Sequence, residues 1–174
     1  GRVAYGLTLA SNAVIAVLSA YTLGYVCTTG ESFVYTMGRF TAPFGNAIRC
    51  GPLQAMMALV FTLVMATSLI GGQRDLFHDV ARSRQPYYFT MVDLLEAEHV
   101  ALVFTDGVFT GYVFIEISTI AACALVMAKD TGPNLIATVR YLFMSLLGSG
   151  LFLIGLAVLN SITGYLLMPP LAQA

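Results

Sequence analysis

The sequence predicts an all-α integral membrane protein with about five transmembrane helices, and three observations indicate it. Of its 174 residues, 58% are hydrophobic and 10% are charged, and the mean hydropathy is +0.82. Soluble domains carry about 25% charged residues, so these few charges would not cover the surface of a soluble globule. Long apolar runs also repeat along the chain, as they do where helices cross a bilayer.

Five segments reach or approach the length of about 20 residues that crosses a hydrocarbon core ~30 Å thick. A single membrane domain, 1–174, is predicted to contain helices at residues 3–27, 52–71, 86–105, 107–128 and 135–162. Pro52 suits the first turn of a helix, whereas Pro169 and Pro170 end the last run. The first run exceeds the ~7–15 apolar residues of a signal peptide, so we expect a retained helix.

The basic residues of the loops predict how the chain is oriented. With five spans, five basic residues share one side of the membrane and two lie on the other. The first side has Arg2, Arg74, Arg82, Arg84 and Lys129, and the second has Arg39 and Arg49. The positive-inside rule then predicts a cytoplasmic N-terminus and an external C-terminus, in the cell inner (plasma) membrane.

Composition and motifs exclude several functions. The 8 Lys and Arg residues are balanced by 9 Asp and Glu residues, with no basic block that would bind nucleic acid. Cys27, Cys50 and Cys123 fit no zinc or redox spacing. Phosphate-binding loops, dinucleotide fingerprints and nucleophile–base sets are not found either. We expect no catalytic residue, metal or cofactor here, and any reaction would belong to a larger complex.

Glu116 is the most informative single residue. It lies about nine residues into the fourth predicted helix, roughly 13 Å from that helix end and near the middle of the membrane. A carboxylate there is costly unless it is protonated, paired or hydrated. Burial favours its protonated form and a nearby cation favours the charged one, as a proton relay requires. The alternative is a neutral glutamic acid that hydrogen-bonds a neighbouring helix.

Arg140, one turn into the fifth predicted helix, is the candidate cation for Glu116. Arginine stays charged at any depth, so it would bias the proton affinity of Glu116 without passing on a proton itself. The alternative interpretation is an arginine whose side chain reaches back to the headgroups of the bilayer.

The third predicted helix carries a second set of ionisable residues. Asp93, Glu96 and His99 fall within about 120° around the helix, whereas Glu98 points elsewhere. The three could line a hydrated proton path, with His99 as the member that titrates near neutrality. Alternatively, the segment is a poor or interfacial span whose acids meet water or polar partners. Ser11 and Asn12 in the first helix are expected to hydrogen-bond between helices.

Several stretches of the sequence match the motifs of one family. The run DGVFTGYVFIEI at 106–117 is similar to the signature D-l-F-x-l-Y-V-F-x-E. Further similar stretches are ATVRYL at 137–142, LGSGLFLIG at 147–155, ITGYL at 162–166 and GRFTAPFG at 38–45. The family that these motifs resemble is that of the antiporter-like subunits of respiratory complex I, Mrp-type sodium/proton antiporters and membrane-bound hydrogenases. The resemblance is closest to the Mrp D subunit and the hydrogenase branch.

The resemblance implies specific roles for two residues. Glu116 would correspond to the essential glutamate of the family's helix five, which pairs with a lysine on helix seven. Arg140 would correspond to a lysine position in helix six. The family's second helix also runs outward from the cytoplasm, in agreement with the orientation that the loop charges predict.

The chain also departs from the family pattern. Relatives have about fourteen helices in two inverted repeats, whereas the match covers family helices two to six and stops before the pairing lysine. Gly51-Pro52 replaces the usual aspartate before helix three, and Glu98 and His99 replace small or neutral residues. A split or truncated subunit is therefore expected, and a free-standing transporter is disfavoured.

Together these features predict a membrane subunit of a multi-subunit cation- or proton-translocating complex, with or without a hydrogenase or other redox module. Its expected partners are lipid and other membrane subunits, including one that supplies the missing lysine-bearing helices. The ion would be H+, with Na+ as a second candidate. The alternative is a non-conducting assembly subunit, with its origin in an antiporter-like protein.

Overall fold

The computed structural model describes residues 1–37, 47–129 and 131–164 as six helices and one β-hairpin. The elements are α1 (Arg2–Thr29), β1 (Phe33–Thr36), β2 (Ala47–Cys50), α2 (Pro52–Gly71), α3 (Gln73–Asp79), α4 (Gln85–Phe104), α5 (Val108–Met127) and α6 (Gly132–Thr163). The predicted all-α membrane fold is confirmed. The similar stretch at 38–45, Arg39, and Pro169 and Pro170 lie outside the described residues.

Four helices, α1, α2, α5 and α6, are long and apolar enough to cross a membrane. The remaining predicted span, 86–105, is also a helix, α4, but its charged residues make it less apolar than the other four. Nevertheless α4 packs against α1, α2 and α5, whereas α6 packs mainly on α5. The least apolar of the long helices therefore packs against three other helices, which places its ionisable side chains inside the bundle.

The helix limits follow local chemistry. Pro52 occupies the first turn of α2, where its missing N–H costs nothing. Gly30 ends α1 in the left-handed conformation (φ 69°) that glycine adopts most readily. The last helix begins at Gly132, three residues before the prediction, because Pro133 is also compatible with a first turn. Its 32 residues extend about 46 Å, so α6 is longer than the hydrocarbon core is thick.

The helices alternate in direction, so the bundle has two chemically different ends. The basic end holds Arg2, Arg74, Arg82, Arg84 and Lys129, which lie at the start of α1, between α2 and α4, and after α5. There Lys129 donates a 2.7 Å hydrogen bond to Asp79, which lowers the pKa of that exposed carboxyl. Close to the same end, Leu69, Phe89 and Val92 form a buried apolar cluster.

The opposite end, the hairpin end, carries β1 and β2, which the sequence pattern did not predict. The strands pair antiparallel, with Phe33 opposite Cys50. The hairpin contacts the α4–α5 connection, since the Asp106 backbone N–H donates to the Ala47 carbonyl (2.9 Å). Arg49 Nε also lies 3.4 Å from Asp106 Oδ1, and Asp106 is 6% exposed. An ion pair therefore joins the hairpin to the residue two positions before α5.

Removing the Asp106 carboxylate is expected to destabilise this end. We expect Asp106→Ala to lower the free energy of unfolding by about 1–3 kcal/mol, because Arg49 loses its partner and a buried polar contact disappears. Denaturant titration in detergent micelles measures the change. Asp75→Ala, which removes an exposed carboxylate from α3, is the matched control and should change stability by less than about 0.5 kcal/mol. Equal effects for both variants would contradict the structural role of the ion pair.

Candidate functional site

Glu116 lies at the ninth position of α5, about 12 Å from Val108 along the helix axis. It shares a helix face with Tyr112 and Thr119, which lie four residues before it and three residues after it. Tyr112 stacks on Phe152 of α6, with ring centroids 6.2 Å apart. Thr119 and Ser145 of α6 hydrogen-bond at 3.1 Å. Glu116 therefore lies between two α5–α6 contacts, near the middle of a membrane-spanning helix.

The carboxyl of Glu116 is incompletely satisfied there. The residue is half-buried, and its Oε1 atom is buried without a hydrogen-bond partner among the described residues. Most buried polar atoms in proteins are hydrogen-bonded, so an orphan oxygen on a mid-membrane acid requires an explanation. A bound proton, a water molecule or a cation from another helix would each supply the missing contact.

Arg140 does not contact Glu116. The Thr119–Ser145 hydrogen bond fixes the relative height of the two antiparallel helices. On that register, Arg140 lies about 12 Å from Glu116 along the axis, toward the basic end. Its side chain is exposed, and it forms no ion pair with any residue that the structure describes. The predicted influence of Arg140 on Glu116 stays a prediction.

The acids of α4 point toward a polar stripe on α1. Thr8 donates a 3.0 Å hydrogen bond to Asp93 Oδ2, and Ser11 Oγ lies 3.4 Å from Asp93 Oδ1. One turn further along α4, Asn12 Nδ2 donates to Glu96 Oε1 at 2.6 Å and to the Thr62 carbonyl of α2 at 3.2 Å. The predicted interhelical roles of Ser11 and Asn12 are therefore observed.

Glu96 is more completely enclosed than Asp93. It is 2% exposed, and its Oε2 atom is buried with no hydrogen-bond partner among the described residues. Asp93 is half-buried and lies at i−3 on the same helix face. Two carboxyl groups one turn apart on α4 therefore accept hydrogen bonds from different side chains of α1, Asp93 from Thr8 and Glu96 from Asn12.

Helical spacing groups His99 with Asp93 and Glu96, but in the structure His99 lies beside Glu98. Its Nδ1 atom pairs with the adjacent Glu98 and lies 2.6 Å from the Leu95 carbonyl. The imidazole also packs edge-on against Phe61 of α2, with centroids 5.3 Å apart. Asp93 and Glu96 thus form one polar group and Glu98 and His99 another.

Glu98 is a buried acid that the sequence pattern did not select. It is 3% exposed, and the imidazole Nδ1 atom of His99 lies beside its Oε1 atom. The sequence contained one usable signal, because Glu98 is an acid inside a predicted span. Glu98 was left out because it lies off the face shared by Asp93, Glu96 and His99. That reasoning holds only if α4 packs through a single face. Because α4 is contacted by three helices, the face that carries Glu98 is buried too.

Comparison with known proteins supports the fold. No protein-family model matches the chain. The chain is 29% identical over 140 residues to the D subunit of the Na(+)/H(+) antiporter of Alkalihalophilus pseudofirmus, covering 80% of this chain and 28% of that protein. It is 26% identical over 167 residues to the N subunit of the NADH-quinone oxidoreductase of Desulforudis audaxviator, covering 96% of this chain and 33% of that protein.

Solved structures give the same result. A chain of the membrane-bound sulfane sulfur reductase, an archaeal respiratory membrane complex, superimposes with a TM-score of 0.86 at 25% identity. The match covers 97% of this chain and 34% of that one. The predicted resemblance to antiporter-like subunits is confirmed. A chain of the Mrp complex from a Dietzia species shares the antiporter-like fold, with a TM-score of 0.84 at 19% identity over 95% of this chain and 31% of that one.

The chain spans about a third of the length of the proteins it matches. The shared part includes α5 and α6, whose contacts flank Glu116, and α4 with its buried acids. The similarity therefore extends over both groups of ionisable residues in the bundle.

Proposed function

We propose that the chain is a membrane subunit of a multi-subunit complex that moves protons or other cations across the plasma membrane. Within it, Glu116 takes up and releases protons. The observation that carries this proposal is the buried Oε1 atom of Glu116, which has no hydrogen-bond partner in the described part of the chain and lies in the middle of a membrane-spanning helix. An acid in that position is costly to keep and is a functional candidate by default.

The proposal requires a cation from outside the described residues. Since Arg140 does not reach Glu116, the partner would come from another helix of the complex, in keeping with the predicted lysine-bearing helices. When the cation approaches, it favours the carboxylate and releases the proton, and when it retreats the acid is protonated again. The outer face of α6 offers room for such a helix, because large apolar side chains such as Phe143, Met144 and Leu151 are exposed there.

The proposal also gives the ionisable residues of α4 a supporting role in proton transfer. Asp93, Glu96 and His99 would carry protons toward the level of Glu116, with Glu98 as an added member. The hydrogen bond from Thr8 to Asp93 supports a polar contact between α1 and α4 at the start of this route. Coupling to sodium exchange or to a redox module would come from partner subunits, and the N-terminus of the chain would face the cytoplasm.

The second candidate function is that of a non-conducting assembly subunit. The 2.6 Å hydrogen bond between Asn12 and Glu96 favours it, because this contact joins α1 to α4 as a structural link would. In that case the acids would stabilise packing, and transport would take place in other subunits.

Proton-coupled cation flux in vesicles of the assembled complex distinguishes the two functions. We expect Glu116→Gln to lower the flux per assembled complex by roughly 100-fold, the lower end of what a positioned proton-transfer group contributes. The amide keeps the size of the side chain but removes its proton. Glu31→Gln, an exposed residue beyond the end of α1, is the matched control and should leave flux unchanged. Normal flux in Glu116→Gln would reject the proposal, and reduced assembly with normal flux per complex would favour the assembly subunit.

A further inference from the structure

A cavity of about 950 Å³ opens at the basic end of the bundle, between the starts of α1 and α4 and the short helix α3. Its volume lies at the upper end of the ~300–1,000 Å³ that small-molecule sites occupy. Three arginines line it, namely Arg2 of α1, Arg74 of α3 and Arg82 of the α3–α4 connection. The cavity is separate from Glu116 and from the acids of α4, so nothing in the proposed ion path uses it.

The charge of this cavity is uncompensated. Arg2, Arg74 and Arg82 are exposed, and none of them forms an ion pair with a described residue. None of the described side chains that line the cavity is acidic. Guanidinium groups bind phosphate through paired hydrogen bonds, and three of them around one cavity favour a phosphate-bearing anion.

The wall of the cavity is apolar below the arginines. Tyr5 lies one turn further into the bundle than Arg2 and packs edge-on against Phe77, with ring centroids 5.8 Å apart. Phe89 supports both rings from the core, at 5.6 Å from Tyr5 and 6.2 Å from Phe77. A free phosphate would use the arginines alone, whereas a molecule with a phosphate head and an apolar body would also cover the aromatic rings.

The position of the cavity is consistent with such a molecule. It lies at the basic end of a bundle whose helices are long and apolar enough to span a membrane, and lipid headgroups are expected at such an end. We propose that Arg2, Arg74 and Arg82 form a binding site for the phosphate of an anionic phospholipid, whose glycerol and upper acyl chains rest against Tyr5 and Phe77. Each arginine near an anionic lipid headgroup contributes about a five-fold gain in affinity.

Native mass spectrometry of the full chain, released from micelles that contain phosphatidylglycerol and phosphatidylcholine, tests this site. We expect the wild type to retain phosphatidylglycerol in preference to phosphatidylcholine. Arg74→Gln/Arg82→Gln should lower that preference by about 25-fold, five-fold for each arginine. Lys129→Gln removes the same charge from the basic end but outside this cavity, and should retain the preference. Arg74→Lys keeps the charge and should lower the preference for phosphatidylglycerol less than Arg74→Gln does.

Competition separates a lipid site from a site for free phosphate. We expect excess inorganic phosphate or glycerol 3-phosphate to leave phosphatidylglycerol bound, since neither covers the aromatic wall. If either compound displaced phosphatidylglycerol, the lipid assignment would be overturned in favour of a soluble phosphate ligand. The proposal would also be overturned if the wild type showed no preference for phosphatidylglycerol. It would be overturned as well if Lys129→Gln lowered that preference as much as the arginine variants do. Because the arginines are exposed, circular dichroism should show unchanged helix content in every variant.

Discussion

Asn12→Leu is expected to lower the free energy of unfolding by about 2–3 kcal/mol. The Asn12 amide donates to Glu96 and to the Thr62 carbonyl, and both Asn12 and Glu96 are 2% exposed. Leucine has nearly the same size but no donor, so a buried carboxyl and a backbone carbonyl lose their partner. Leaving a buried acceptor unsatisfied costs about 1–3 kcal/mol, and more when the group is charged.

A double-mutant cycle isolates this contact. Glu96→Leu alone leaves the Asn12 amide without its carboxylate acceptor and should also destabilise. The double variant Asn12→Leu/Glu96→Leu replaces both partners by apolar groups, so it should be more stable than the sum of the single changes predicts, by about 1–3 kcal/mol. Denaturant titration in micelles gives all four free energies. Strict additivity would mean that the two side chains do not interact in the folded protein.

His99→Leu should have the second large effect. Glu98 is enclosed, and the His99 imidazole lies beside its carboxyl. Leaving a buried polar group without its partner costs about 1–3 kcal/mol, and more where the group is charged. The histidine side chain is 35% exposed, so solvent screens part of the interaction and we expect a loss nearer 2 kcal/mol.

The other histidine provides the control for this prediction. His78 lies in α3 with its side chain 88% exposed, so His78→Leu should change stability by less than about 0.5 kcal/mol. Glu98→Gln combined with His99→Leu should recover part of the lost stability, because the amide carries no charge to bury. If the two histidine variants were equally stable, Glu98 would not depend on His99 in the folded bundle.

The helices themselves were largely predictable. Residues 52–71 match α2, and the predicted 86–105 and 107–128 differ from α4 and α5 by one residue at each end. The length of an apolar run and the proline or glycine residues at its ends are local signals, and they were sufficient to predict where these helices begin and end. The β-hairpin was not predicted because its four-residue strands are too short for a periodic pattern, and its contacts with the Asp106 connection are distant in sequence.

The partners of the ionisable residues could not be predicted in the same way. The acids of α4 were identifiable as unusual, but Thr8 is 85 positions from Asp93 and Asn12 is 84 from Glu96. Periodicity shows which residues share a face of one helix, not which helix lies opposite. Arg140 illustrates the same point. It was the candidate cation because it lies one turn into the next predicted helix, and the register of α5 against α6 places it about 12 Å from Glu116 along the axis.

Infrared difference spectroscopy of the assembled complex measures protonation at Glu116 most directly. Driving the complex with an ion gradient should change the carbonyl stretch of a protonated carboxylic acid. We predict that this band is present in the wild type and in Glu31→Gln and is absent in Glu116→Gln. An unchanged band in Glu116→Gln would contradict the assignment, because the proton would then be carried by another acid.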